Sequence, residues 1–284
     1  MQFAKLHGAG NDYVYVNGFE ESVPDPSRLA VRVSDRHVGV GSDGLILALP
    51  PREGGDVRMR MFNADGSEAE MCGNGVRCLA KFAVERGLAT GDTVRVETPA
   101  GVREVTLVRD EAGRIVRGAV GMGRPSLAPP DIPVLVDGER AVDVPIDVAG
   151  HSLRMTCVGM GNPHAVFYED SVAEWPIETL GPRIEQHALF PERVNVHAVQ
   201  VVSPEEVIVR TWERGSGLTL ACGTGACAVC VAGVLTGRTA RRLVAHMPGG
   251  DLEVAWPDDE AEVRLTGPVE EVFAGTWPDE SSDA

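Results

Sequence analysis

Two segments of the chain carry residues that could do chemistry together. Cys72-Gly73-Asn74-Gly75 and Cys222-Gly223-Thr224-Gly225 each set a thiol directly before Gly-x-Gly. Apolar residues then follow at helical spacing, Val76, Leu79, Ala80 and Ala83 after the first and Ala226, Val229, Cys230 and Gly233 after the second. A thiol at a helix start lies beside unpaired N–H groups and the positive end of the helix dipole, which favour thiolate over thiol. The glycines allow a carboxylate to come close to those same N–H groups, so each segment reads as a base and as half of an anion cradle. Two such thiols facing one cleft suit inversion of a stereocentre. One thiolate removes a proton from carbon, and the opposing thiol returns one from the other face. The weak acidity of an amino-acid α-carbon would be offset by N–H donors aimed at the developing enolate oxygens.

Positioning two equivalent thiols requires two equivalent supports, and the chain supplies them by duplication. A shift of 150 positions places Phe62-Asn63 over Trp212-Glu213 and the first Cys-Gly-x-Gly over the second without a gap. A shift of 151 places Gly10-Asn11-Asp12-Tyr13-Val14 over Gly161-Asn162-Pro163-His164-Ala165. The halves read as copies of one unit. Alternating or apolar runs predict strands at 12–17, 45–49 and 57–62, and again at 165–168, 197–202 and 207–212. Each cysteine then opens a helix, with Gly87 and Gly237 as stops. Residues 252–255 and 261–265 read as strands around a solvated acidic turn at 256–260, and the acidic end from Pro278 reads as a disordered tail. The proline-rich stretch 124–131 marks a boundary. It separates a first domain of residues 1–123 from a second of 124–268, with 269–284 expected to return to the first.

Composition narrows the class of function. The 284 residues are 43% hydrophobic and 24% charged, ordinary for a globular chain. The net charge of −16 argues against nucleic acid or an anionic membrane as partner. The longest apolar stretch, 226–235, falls well short of the roughly 20 residues of a spanning helix. The N-terminus lacks a secretory pattern, so a reducing cytoplasm is expected and the six cysteines read as thiols. Cys78, Cys157, Cys227 and Cys230 are expected to pack or to be incidental. Cys222, Cys227 and Cys230 have an iron–sulfur spacing, but no fourth cysteine follows downstream. No metal is expected. A pyridoxal cofactor would need a lysine, and the chain has only Lys5, in the opening strand pattern, and Lys81, two positions past Leu79 and so on the polar side of its helix. A cofactor-free reaction is the expectation.

Several segments carry a wider pattern: Lys5-Leu6-His7-Gly8-Ala9-Gly10-Asn11-Asp12-Tyr13, the run from Phe62 through Cys72 to Cys78, Gly161-Asn162-Pro163-His164, and Trp212-Glu213-Arg214-Gly215 followed by Ala221-Cys222-Gly223-Thr224-Gly225-Ala226. Through them the sequence resembles the diaminopimelate epimerase family along essentially its whole length. The resemblance implies an α/β fold of two pseudo-symmetric domains, each a β-barrel-like sheet around a central helix. It implies interconversion of LL- and meso-diaminopimelate on the way to lysine and peptidoglycan, without metal or organic cofactor, by a homodimer. Cys72 and Cys222 match the family's catalytic bases. Gly73, Asn74, Gly223 and Thr224 match the backbone donors to the reacting carboxylate. Asn11, Asn63, Asn162, Asn195, Glu213 and Arg214 match the positions that hold substrate, Arg214 being a natural bidentate partner for the distal carboxylate. His164 and Glu213 match positions that tune the thiols. One departure is Gly44, after Gly39-Val40-Gly41-Ser42-Asp43, where many members carry glutamine.

Plainer readings stand beside these. His164 could be a core or turn histidine, and Glu213-Arg214 a solvated surface pair. A related two-thiol racemase, such as a proline racemase or hydroxyproline epimerase, would share the chemistry but have a pocket for one carboxylate. A binding protein would keep the cleft and lose the cysteines first, yet both are present.

Overall fold

The computed structural model describes residues 1–69 and 72–278. Glu70, Met71 and the acidic end from Asp279 onward lie outside the described residues. The chain divides into two compact units, Met1–Val120 with Gly267–Ala284, and Gly121–Thr266.

The first unit contains β1 (Gln2–Gly8), β2 (Asn11–Asn17), α1 (Pro26–Ser34), β3 (Gly44–Leu49), β4 (Val57–Asn63), the short β5 (Glu68–Ala69), α2 (Gly73–Glu85), β6 (Thr93–Thr98), β7 (Gly101–Arg109) and β8 (Ile115–Gly121). The second contains β9 (Val144–Val148), β10 (His151–Gly159), β11 (Pro163–Tyr168), α3 (Ile177–Glu185), β12 (Asn195–Ser203), β13 (Glu206–Glu213), the short β14 (Gly217–Thr219), α4 (Gly223–Leu235), β15 (Arg242–Met247), β16 (Gly250–Ala255) and β17 (Arg264–Pro268). The last strand, β18 (Glu270–Thr276), pairs antiparallel with β1.

Strand pairing repeats element for element. In the first unit β1–β2 is antiparallel, β2–β3 parallel, β3–β4 antiparallel, β4–β6 parallel and β6–β7 antiparallel. In the second, β10–β11, β11–β12, β12–β13, β13–β15 and β15–β16 follow the same alternation. Parallel neighbours need a crossover. In each unit the second crossover is the cysteine helix, and the sheet curls around it: α2 packs on β1, β2, β3, β4, β6 and β7, and α4 on β10, β11, β12, β15 and β16.

A helix enclosed by its own sheet is buried all round, and this corrects one expectation. Val76, Leu79, Ala80 and Ala83 form the apolar face foreseen, but Asn74, Arg77 and Lys81 are also buried. Lys81 therefore does not lie on a solvated polar side. Its ammonium pairs with Glu85 at 2.7 Å and donates to the Ile115 carbonyl at 2.8 Å, so the charge stays satisfied. Both helices stop where expected, with Gly87 at φ 71° and Gly237 at φ 67°, conformations that suit glycine.

The stretch 124–131 is itself ordered: Ser126 bridges Gly159, and Pro129–Asp131 form a 3-10 turn. One other expectation shifts. The strand foreseen at 261–265 begins only at Arg264, because the acidic turn extends further and Trp256 at its start is buried in the core, its indole donating to the Ala261 carbonyl.

Candidate active site

Each unit carries one thiol centre, built on the start of its enclosed helix. Cys72 and Cys222 are the N-cap residues of α2 and α4, with extended backbone at φ −135° and −130°. Cysteine is a poor choice there, since serine, threonine, aspartate or asparagine caps better. A residue that breaks a local rule twice, at matching positions, points to function rather than stability.

The third residue of each Gly-x-Gly serves packing. A Cβ at Gly75 would stand 2.8 Å from Ile46 Cδ1, and one at Gly225 would stand 2.3 Å from His197 Cε1. These glycines let the helix press against the strand behind it, which differs from the expected role in admitting a ligand.

Around Cys72, the Sγ accepts from the Gly75 N–H at 3.5 Å and donates to Asn11 Oδ1 at 3.2 Å. Asn11 Oδ1 also accepts from Asn74 Nδ2 at 3.3 Å, while Asn11 Nδ2 donates to Asp43 at 2.7 Å. Arg77, fully buried, donates to the Gly73 carbonyl at 3.0 Å and to Asn74 Oδ1 at 2.8 Å, locking the first turn of α2. Asn63 ends β4 and donates to Ser67 Oγ at 2.9 Å, within a turn closed by Gly66. A Cβ at Gly44 would stand 2.1 Å from the Phe62 carbonyl oxygen, so this backbone leaves no room for a side chain.

In the second unit, a relay of side chains crosses three adjacent strands. His164 on β11 bonds Asn162 Oδ1 through Nε2 at 2.8 Å and His197 Nε2 through Nδ1 at 2.9 Å. His197 on β12 then bonds Thr211 Oγ1 on β13 at 2.9 Å, from the directly opposed register position. Both imidazoles are fully buried, and burial holds His164 well below the usual histidine range and His197 down at about 3. Both are therefore neutral at working pH. His164 has both ring nitrogens engaged, so neither is free to take a thiol proton directly.

Glu213 and Arg214 lie on the tight turn between β13 and β14. Gly215 and Gly217 adopt φ 78° and 79°, which only glycine takes readily. Three struts hold this turn. Glu185 on α3 accepts from the Trp212 indole at 2.8 Å and from the Gly215 N–H at 3.1 Å. Asn195 accepts from the Arg214 N–H at 3.0 Å and donates to the Pro163 carbonyl at 2.9 Å, tying this turn to the loop of Asn162. Thr219 donates to the Glu213 carboxylate at 2.5 Å. Arg214 donates to the Glu192 carbonyl at 2.9 Å. Thr224 Oγ1 lies 3.6 Å from Cys222 Sγ.

Burial works against the thiolate that each helix start favours. Burial pushes both thiols above their ordinary value, and at Cys222 the Glu213 carboxylate, by its charge and by accepting a hydrogen bond, pushes it further. At Cys72 the N–H groups of Gly75 and Asn74 and a hydrogen bond with Tyr13 pull the other way but do not prevail. Loss of hydration penalises the anion more than the first helical turn stabilises it. The remaining cysteines, Cys78, Cys157, Cys227 and Cys230, are all buried, as packing residues should be.

Sequence reasoning missed His197, Thr211, Asp43 and Glu185. Inward alternation on β12 marks His197 as core but cannot show that it meets His164. Among the described residues, no three His, Cys, Asp or Glu side chains are grouped to hold a metal ion.

The architecture, two repeated α/β units each with a helix inside a mixed sheet, is shared with solved epimerases and racemases. A probable proline racemase from Agrobacterium radiobacter superposes with TM-score 0.71 at 16% identity, covering 99% of this chain and 94% of that one. A hydroxyproline epimerase from Agrobacterium vitis gives 0.64 at 15% identity, covering 97% and 90%. At the level of sequence, the family model of diaminopimelate epimerase matches residues 3–128 and 156–272. The diaminopimelate epimerase of Acetivibrio thermocellus is 50% identical over 276 residues, 97% of this chain and 98% of its own. That of Desulforudis audaxviator is 51% identical over 278 residues, 98% and 99% of the two chains. The chain belongs to the diaminopimelate epimerase family.

Proposed function

We propose that the chain epimerises LL-diaminopimelate to meso-diaminopimelate, in lysine and peptidoglycan-precursor biosynthesis, with Cys72 and Cys222 as the two bases. The observation that carries this reading is the paired occurrence of a cysteine N-cap at the head of the enclosed helix in both repeated units. One thiolate takes the α-proton and becomes a thiol. The electron pair left on carbon delocalises into the α-carboxylate, and the other thiol delivers its proton to the opposite face, leaving a thiolate. Protons balance within the turnover, and the two sulfurs then exchange protons with solvent to restore the starting state before the next LL substrate is inverted.

The N–H groups at Gly73, Asn74, Gly223 and Thr224 stabilise the carboxylate as its charge grows. Arg214 pairs with the distal carboxylate, and Asn11, Asn63 and Asn162 supply polar contacts to the rest of the substrate. Asn195 and Glu213 hold the arginine turn, with Glu213 also acting on Cys222. His164, neutral and doubly hydrogen bonded, fixes Asn162 rather than exchanging protons. One thiol lies in each half, residues 1–123 completed by 269–284 and residues 124–268. The resemblance further supports a homodimer working in the cytoplasm, to be checked by sedimentation and by cell fractionation.

The test is to incubate reduced protein with LL-diaminopimelate and resolve the stereoisomers by chiral chromatography. Wild type forms the meso isomer, while Cys72→Ala and Cys222→Ala bind substrate without inverting it. Inversion by either single variant would contradict the two-base assignment. Fast turnover of proline would favour a one-carboxylate racemase.

A further inference from the structure

Asn11 stands between a charged cluster and Cys72. Its Nδ2 donates to Asp43 Oδ2 at 2.7 Å, and its Oδ1 faces Cys72 Sγ at 3.2 Å and Asn74 Nδ2 at 3.3 Å. The two ends of an asparagine amide are told apart by their partners, and here the partners agree. A carboxylate only accepts, so the end facing Asp43 must be the NH2 group. Asp43 is itself fixed. Oδ2 also accepts from the Asp12 N–H at 3.1 Å, and Oδ1 accepts from Arg36 at 3.0 Å. Arg36 spans both oxygens of Asp12, which pairs with Lys5 at 2.8 Å. With Asp43 taking the NH2 end, the Asn11 oxygen is left pointing at the sulfur. That oxygen can bond an S–H but repels a thiolate.

We propose that Asp43 is a positioning residue which, by fixing the Asn11 amide, holds Cys72 as the thiol. The inference rests on the reading of Cys72 as one of the two bases, and its test reads the sulfur without turnover, so the two can fail separately. Other titratable or charged groups reaching this sulfur are Tyr13 and Tyr15 of β2 and Arg77 and Cys78 of α2. Burial keeps the two phenols and Cys78 neutral. The Gly75 and Asn74 N–H groups, the Tyr13 hydroxyl by its hydrogen bond, and the Arg77 charge favour thiolate and thus oppose Asn11. His7 of β1 turns to Glu270, at 3.6 Å.

The experiment is the rate of iodoacetamide alkylation at Cys72 as a function of pH, read by peptide mapping of the full-length protein. It is run on wild type, Asp43→Asn, Asn11→Ala and the double variant. In Asp43→Asn the new amide can present its oxygen or its NH2, which frees Asn11 to turn its own NH2 toward the sulfur. Cys78, buried on the same helix, stays unalkylated while the fold is intact. The alkylation midpoint of Cys72 is expected to fall by about one pH unit in each single variant, the size of one hydrogen bond. Adding Asp43→Asn to Asn11→Ala should then move it by less than half as much. An unmoved midpoint in Asn11→Ala overturns the proposal. So does an equal effect of Asp43→Asn with and without Asn11, which would make Asp43 a charge acting through space. Should Asp43→Asn expose Cys78, Asp43→Ser takes its place in the same cycle, with the same two deciding outcomes.

Discussion

The buried histidine pair makes the protein acid-sensitive by a calculable amount. His164 and His197 are neutral inside the second unit, held below the ordinary value of 6.5, His197 at about 3. In the unfolded chain each titrates normally, so below pH 6.5 the unfolded state binds protons that the folded state does not. Their contribution to stability is therefore complete above 6.5 and is lost as pH falls below it, for His197 until about 3. At about 1.4 kcal/mol per proton per pH unit, going from pH 7 to pH 5 costs about 2 kcal/mol for His197, and His164 adds a loss of the same sign. The perturbation is His197→Gln, which can still accept from Thr211 and donate to His164 but does not titrate. Urea unfolding at pH 7 and pH 5 measures the loss in each protein, and carboxylate titration is common to both. The variant should lose about 2 kcal/mol less than wild type over that interval. An equal loss in the two proteins would refute the neutral buried pair.

Three further outcomes follow from the geometry. Gly225→Ala places a Cβ 2.3 Å from the His197 ring and should cost about 1–3 kcal/mol by urea unfolding; the cost should shrink in a His197→Ala background, and an undiminished cost would rule out this contact as its source. Glu185→Gln sets an NH2 group against the Trp212 indole or the Gly215 N–H, loosening the arginine turn. Its KM for diaminopimelate should rise roughly tenfold with kcat less affected, and an unchanged KM would separate Glu185 from substrate binding. Cys72→Ser exchanges a poor N-cap for a good one, so its unfolding midpoint should rise, by about 0.5–1 kcal/mol, while epimerisation falls at least about a hundredfold; a lowered midpoint would contradict the capping argument.

The duplication was legible because it is a covalent pattern. Matching Cys-Gly-x-Gly segments and matching apolar runs need no tertiary information, and the strands at 12–17, 45–49 and 57–62 recur within a residue or two of β2, β3 and β4. Full enclosure of α2 was not legible. Arg77 and Lys81 look like a solvated face until Gly73 and Asn74 on one side, and Ile115 on the other, take up their charges. The relay through His197 was hidden for a related reason. It joins residues on β11, β12 and β13 that become neighbours only once the parallel register of β11 and β12 and the antiparallel register of β12 and β13 are set. The burial that opposes the thiolate was not legible, because a helix start is visible in sequence and depth of burial is not.

The central claim is proton exchange at carbon between two thiols without any added cofactor. Proton NMR of reduced, full-length protein with LL-diaminopimelate in D2O, following the α-proton signal and resolving the isomers, tests it most directly. The account predicts loss of that signal together with appearance of the meso isomer. With fully reduced thiols, retention of the α-proton and no meso product would contradict it.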